Sequence, residues 1–170
     1  QEVLDCLVSY VVFDSSGQPF VYFEGNRNGF VAVSSKSLVS DDDFAVVRFS
    51  VKENEDRTFD VIYEEWPMDS ELLLSVGEPL EFSRPIVLFE SVSDPLFQYF
   101  GWSDVSERPG EDSEGILKGW LANYDGIRAV FAPEKARLSF FSDDGQVIIL
   151  SSLAGQPRGL LSRYQTDYGV

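Results

Sequence analysis

The chain has 170 residues, 44% of them hydrophobic, with 14 Phe, 7 Tyr, 3 Trp, one Cys and no His, and its 13 basic and 29 acidic side chains give a formal net charge of -16. Length and apolar content suit a single domain over 1–170 with a substantial core, and hydrophobic runs recur too steadily for a disordered chain. The missing histidine excludes Ser-His-Asp and Cys-His catalysis and removes the commonest ligand of zinc, copper and non-haem iron, while a lone Cys6 builds neither an internal disulfide nor a Cys-rich metal site.

The N-terminal third reads as sheet. VLDCLVSYVVF (3–13) is rich in β-branched and apolar residues, and Cys6 fits there as a small buried hydrophobe. DSSGQP makes a turn, FVYFEG (20–25) a second strand, NRNG a tight turn with Asn28-Gly29 suited to positive φ, and FVAVSS (30–35) a third strand, so a meander is predicted. After the connection SLVSDDD, FAVVRFSVKE (44–53) and TFDVIYEEW (58–66) read as a strand pair around NEDR; Phe59, Val61 and Tyr63 share one face, Asp60, Ile62 and Glu64 the other.

MDSELLLSVG (68–77) has the caps and stop of a short helix. EFSRPIVLFES (81–91) returns to strand, with Pro85 marking an edge or a strand start. SDPLFQYFGW (93–102) has a second helical signature: Pro95 in the first turn, and Leu96, Phe97 and Phe100 on one side. DVSERPGEDSEG reads as a surface loop. The clearest predicted helix is EGILKGWLANYDG (114–126), where Ile116, Leu117, Trp120, Leu121 and Tyr124 make an apolar stripe and Gly126 a stop. RAVFAP (128–133), ARLSFFS (136–142) and VIILSSL (147–153) follow as strands, the last two joined at an Asp-Gly turn, and the tail lacks periodicity. FDSSGQPFVY and FSDDGQVIIL resemble each other as two hairpin turns do, which does not require a repeat. The predicted fold is α+β: antiparallel sheet with two or three short helices, the alternative being a β-sandwich with helical insertions.

The charge is uneven. Residues 39–114 hold 20 acids and 5 bases, so nearly all the excess lies mid-chain. Such a field repels nucleic-acid backbones and anionic membranes and favours a basic protein or a divalent cation. No run reaches the ~18 apolar residues of a membrane-spanning helix. The first segment has no basic n-region, so it does not read as a signal peptide; this places the cytoplasm ahead of secretion, which the initial Gln, consistent with a removed leader, leaves open.

YEEWPMDSE carries four carboxylates around an apolar anchor, the composition of an interface that steers a basic partner. The partner-binding candidates are Glu64, Glu65, Trp66, Met68, Asp69 and Glu71, extended by Trp102, Asp104 and Glu107. The competing role for Trp66 is core packing. Asp41, Asp42 and Asp43 together with Asp143 and Asp144 supply hard oxygens for calcium if the fold unites them, although neither run matches an EF-hand. A glycosidase-like pair needs carboxyls ~5–9.5 Å apart, and neighbours such as Glu64 and Glu65 diverge on a strand. No cofactor motif is present. The reading is therefore a non-catalytic acidic binding protein with a basic partner, such as an inhibitor or immunity protein of a nuclease or toxin. A calcium-assisted extracellular binding module and a carboxylate-dependent carbohydrate-active enzyme are the alternatives.

Overall fold

The structure, a computed structural model, describes residues 2–39, 44–68, 73, 75, 77–102, 118–126 and 131–153. Among these, one helical turn, α1 (Glu2–Asp5), precedes β1 (Leu7–Val8), β2 (Val11–Phe13), β3 (Pro19–Val21), β4 (Phe23–Asn26), β5 (Gly29–Ser34), β6 (Ala45–Glu53) and β7 (Phe59–Pro67). The chain continues through β8 (Ile86–Gly101), β9 (Gly119–Leu121), β10 (Tyr124–Asp125), β11 (Lys135–Ser142) and β12 (Gly145–Ser152). Ten strands form one sheet in the order β10-β4-β5-β6-β7-β8-β11-β12, with β1 added on β5 and β9 on β8, while β2 and β3 form a separate hairpin. This is a β-sheet-dominated single domain whose antiparallel sheet curls into an open half-barrel.

The predicted meander breaks in two places. Residues 3–13 divide into α1, β1 and β2, and residues 20–25 divide at Tyr22 into β3, paired with β2, and β4, paired with β5. The division follows from a change of layer. The β2–β3 hairpin covers the outer face of β5 and β6, burying Val12 and Phe20 against Val33, Val46 and Met68. The inner face carries Phe30, Ala32, Val47 and Phe49 into the main core. Buried on both sides, these strands lose the apolar–polar alternation of a half-exposed sheet. The turns hold as read, with one shift: Gly29, at φ +151°, has the positive φ, and a side chain there would collide with the Phe49 carbonyl.

Two predicted helices are strands. Residues 93–101 belong to β8, with Phe97, Tyr99 and Gly101 buried alternately. Pro95 is accommodated because the ladder is already irregular there: Ser91 and Asp94 have positive φ, and the pairing to β11 shifts between Ser139 and Phe141. Of the predicted 114–126 helix, residues 114–117 lie outside the described residues, and 118–126 contain β9 and β10, where Trp120 faces Phe100 and Tyr124 faces Gly25. Gly119, Asn123 and Gly126 are weak helix formers, and the open edges of β8 and β4 offer this segment ladder partners instead. Of 68–77 only Met68, Leu73, Ser75 and Gly77 are described, and Ser75 makes a parallel bridge to Phe13 rather than a helical turn. Residues 131–133 are not strand. The two or three expected helices thus reduce to one short one among the described residues.

The curl depends on β8. Its first half pairs with β7; its second half pairs with β11 on one side and β9 on the other. From β9 the chain passes to β10, which pairs with β4 at the far end of the sheet order. Across the inside, the Phe97 N–H donates to the Arg27 carbonyl at 3.0 Å, and the Tyr99 hydroxyl donates to the carbonyls of Asn26 and Gly29 at 2.9 and 2.6 Å. The Tyr99 ring meets Phe23 edge-on, with centroids 5.5 Å apart, and contacts Phe30 and Tyr124.

Candidate functional site

Alternation along β7 divides the acidic-aromatic stretch. Tyr63 and Glu65 face the interior; Glu64 and Trp66 face the opposite side. Glu64 lies directly across from Arg48 and accepts from its Nε at 2.7 Å, while the Arg48 guanidinium sits 4.1 Å from the centroid of Phe82. Trp66 packs against the second core cluster, and Met68, 8% exposed, belongs to it. Trp66 is therefore at least partly a core residue. Alanine at this position should lower stability by ~2–3 kcal/mol, less than the ~3–5 kcal/mol of a fully buried aromatic because the ring is only half-buried; chemical denaturation of the variant measures it.

Glu65 occupies no exposed rim: it is 0% exposed. Its carboxylate accepts from the Ser37 and Tyr63 hydroxyls and from the backbone N–H groups of Leu38 and Val39, the last two at 2.9 Å. Burial pushes its pKa up, but these four donors outweigh burial and hold it below the ordinary glutamate value. Burial, reinforced by the bond to Glu65 and its charge, raises the Tyr63 phenol. The arrangement clasps residues 37–39 to the strand. It contains no second carboxylate in the role of acid or base partner among its described contacts.

The remaining candidates are scattered. Trp102 follows the last residue of β8, whereas β7 pairs with the first residues of that strand, so the ladder puts Trp66 and Trp102 at opposite ends of β8. Lys118 Nζ lies 5.6 Å from the Trp102 ring centroid. Asp143 and Asp144 form the exposed β11–β12 turn. Asp69, Glu71, Asp104, Glu107, Asp41, Asp42 and Asp43 lie outside the described residues. Among the described residues no three carboxylate or thiol side chains are grouped to hold a metal ion, and no helix is long and apolar enough to cross a membrane.

A cleft of about 420 Å³ lies elsewhere, along β3 and β4. Phe20 and Tyr22 provide aromatic wall, and Glu24, Glu78 and Asp125 provide carboxylates. Glu24 and Asp125 are directly opposed across the β4–β10 pairing. Burial first, then the charges of Glu24 and Glu78, raises the Tyr22 phenol; burial and then Glu78 do the same to Tyr10. Glu24 and Glu78 thus both act on Tyr22. Sequence reading missed this set because nothing in FVYFEG or NYDG announces that positions 24 and 125 face each other. Only the pairing of β4 with β10 does so.

Comparison with protein-family models, curated proteins and solved structures yields no match.

Proposed function

We propose that this chain is a non-catalytic acidic binding protein and that the β3–β4 cleft receives a lysine or arginine side chain of a basic protein partner. The observation that carries this reading is the opposition of Glu24 and Asp125 in a cleft with aromatic wall and a third carboxylate, Glu78. A guanidinium or ammonium placed there would meet the carboxylates that line the cleft and lie against aromatic surface, where a cation is attracted by the ring face. A spread organic cation suits these carboxylates better than a bare metal ion, because they are not grouped closely enough to share one. The charge of -16 adds long-range attraction for such a partner.

Titration with a hexa-arginine peptide at low ionic strength, followed by amide NMR, tests the assignment. The largest shifts are expected at Tyr22, Glu24, Gly77 and Asp125. The triple change Glu24→Gln, Glu78→Gln, Asp125→Asn should weaken binding about tenfold, since each exposed charge pair contributes only ~0.2–1 kcal/mol. Neutralising Glu53, Glu55 and Asp56 on the β6–β7 turn should change affinity much less. Equal losses from both triples would mean diffuse attraction to the whole surface and would reject the cleft.

A further inference from the structure

We infer that the concave side of the half-barrel is a binding site for a small uncharged apolar molecule, distinct from the cationic cleft. A cavity of about 260 Å³ opens there, walled by Phe49 of β6, Tyr63 of β7, Phe89 and Phe97 of β8, Leu138 of β11 and Ile149 of β12. Val3 and Leu4 of α1 line another side, and Leu38 and Leu88 complete the lining. These last two are 49% and 36% exposed, so they border solvent and form the mouth. The space is therefore a cleft reached from solvent, walled by side chains of the main core.

The chemistry of the lining selects the ligand. Tyr63 is the only lining residue with a polar side-chain atom, and its hydroxyl donates away to Glu65. An ion entering the cavity would lose its hydration with no charged side chain in the lining to replace it, whereas an apolar molecule meets a lining of mainly apolar side chains. Size narrows the class further. An apolar cavity of ~150 Å³ accommodates benzene, so this one suits a bicyclic aromatic or a medium-length acyl chain. The mouth is held in place by an independent device: Leu38, at the rim, has its backbone N–H bonded to the Glu65 carboxylate at 2.9 Å. Glu65 therefore acts as a positioning residue for the entrance and does not itself line the cavity.

The test uses N-phenyl-1-naphthylamine, an uncharged fluorophore, on the full chain. Saturable one-to-one enhancement is expected, displaced by naphthalene, with the anionic 1-anilinonaphthalene-8-sulfonate binding at least tenfold more weakly. Ile149→Trp, which fills the cavity from a half-buried position, should reduce affinity at least tenfold with the far-ultraviolet circular dichroism unchanged. If that variant fails to fold, Leu88→Trp at the exposed rim serves the same purpose. Ile148→Ser, on the other side of β12, should leave binding unchanged. Absence of saturable binding would overturn the site, as expected if a segment of the chain itself fills it. Binding insensitive to both tryptophan variants, or lost in Ile148→Ser, would assign the probe to the outer face and overturn it equally. None of these readouts depends on the cationic cleft.

Discussion

Replacing Glu65 by alanine is expected to lower the unfolding free energy by about 3–5 kcal/mol, more than any neutralisation of an exposed acid. The carboxylate is wholly buried, and its removal leaves the Ser37 and Tyr63 hydroxyls and the Leu38 and Val39 N–H groups without their acceptor. Hydrogen bonds to a charged group contribute ~1.5–3 kcal/mol each, and stranded donors add a desolvation cost, although some regain water as residues 37–39 loosen. Glu65→Gln should cost about half as much, because the amide keeps one oxygen and presents an N–H₂ to groups that also donate. The pH dependence has a definite sign. Since the folded pKa lies below the unfolded one, the protonation-linked stability is fully present above the ordinary glutamate range of ~4.3 and is lost as pH falls through the folded value. The stability gap between wild type and Glu65→Gln should therefore narrow as pH falls below the ordinary glutamate range and through the folded value. Denaturant melts at a series of pH values measure it, and a constant gap would contradict the account of Glu65.

Tyr99→Ala should cost about 4–5 kcal/mol. Truncating a buried aromatic ring removes ~3–5 kcal/mol, and the Asn26 and Gly29 carbonyls lose their hydroxyl donor as well. Tyr99→Phe isolates the hydroxyl contribution at ~1–2 kcal/mol. The companion is Gly25, whose missing side chain makes room for this ring: a Cβ at that position would stand 2.5 Å from ring carbon Cζ. Gly25→Ala should accordingly be damaging alone and much better tolerated beside Tyr99→Ala. A double-mutant cycle should return a coupling of ~1–3 kcal/mol, and strict additivity would mean that the two do not meet.

How much of this was legible from residues varies with the range of the cause. The β6–β7 pair, the β11–β12 hairpin and the Asp14 turn rest on local patterns, and sequence reading places all three. In the last, Asp14 accepts from the N–H groups of Ser16 and Gln18 at 2.8 and 2.9 Å. Residues 93–102 show where local pattern fails. Leu96, Phe97 and Phe100 fit a helical stripe as well as Phe97, Tyr99 and Gly101 fit a strand, and the neighbouring ladders decide between them. Trp120 and Tyr124 were read as one helical face, yet they sit on different short strands paired to β8 and β4. For Glu65, the strand period itself carried the information: Phe59, Val61 and Tyr63 were placed on one face, and continuing by two puts Glu65 on that same face. Its residue type, expected at the surface, concealed this. The two cavities are assembled from segments far apart in the chain, which no spacing rule connects.

The pairing of β4 with β10 also bears on the order in which this chain can fold. Gly25 is synthesised early but must wait for Tyr124 before its strand has a neighbour on that side. At ~5–20 residues per second the interval on a ribosome is roughly 5–20 s. Throughout that time β4 offers an open edge, with Phe23 beside it, to any other unfinished strand. Closing so long a loop is entropically slow compared with forming the β6–β7 hairpin, so that hairpin is expected to form before β4 meets β10. Glu24 stands on this waiting edge, and a charge on an exposed strand discourages pairing with a second chain. The carboxylate that faces Asp125 in the finished sheet is thus, earlier in the life of the molecule, a guard against aggregation.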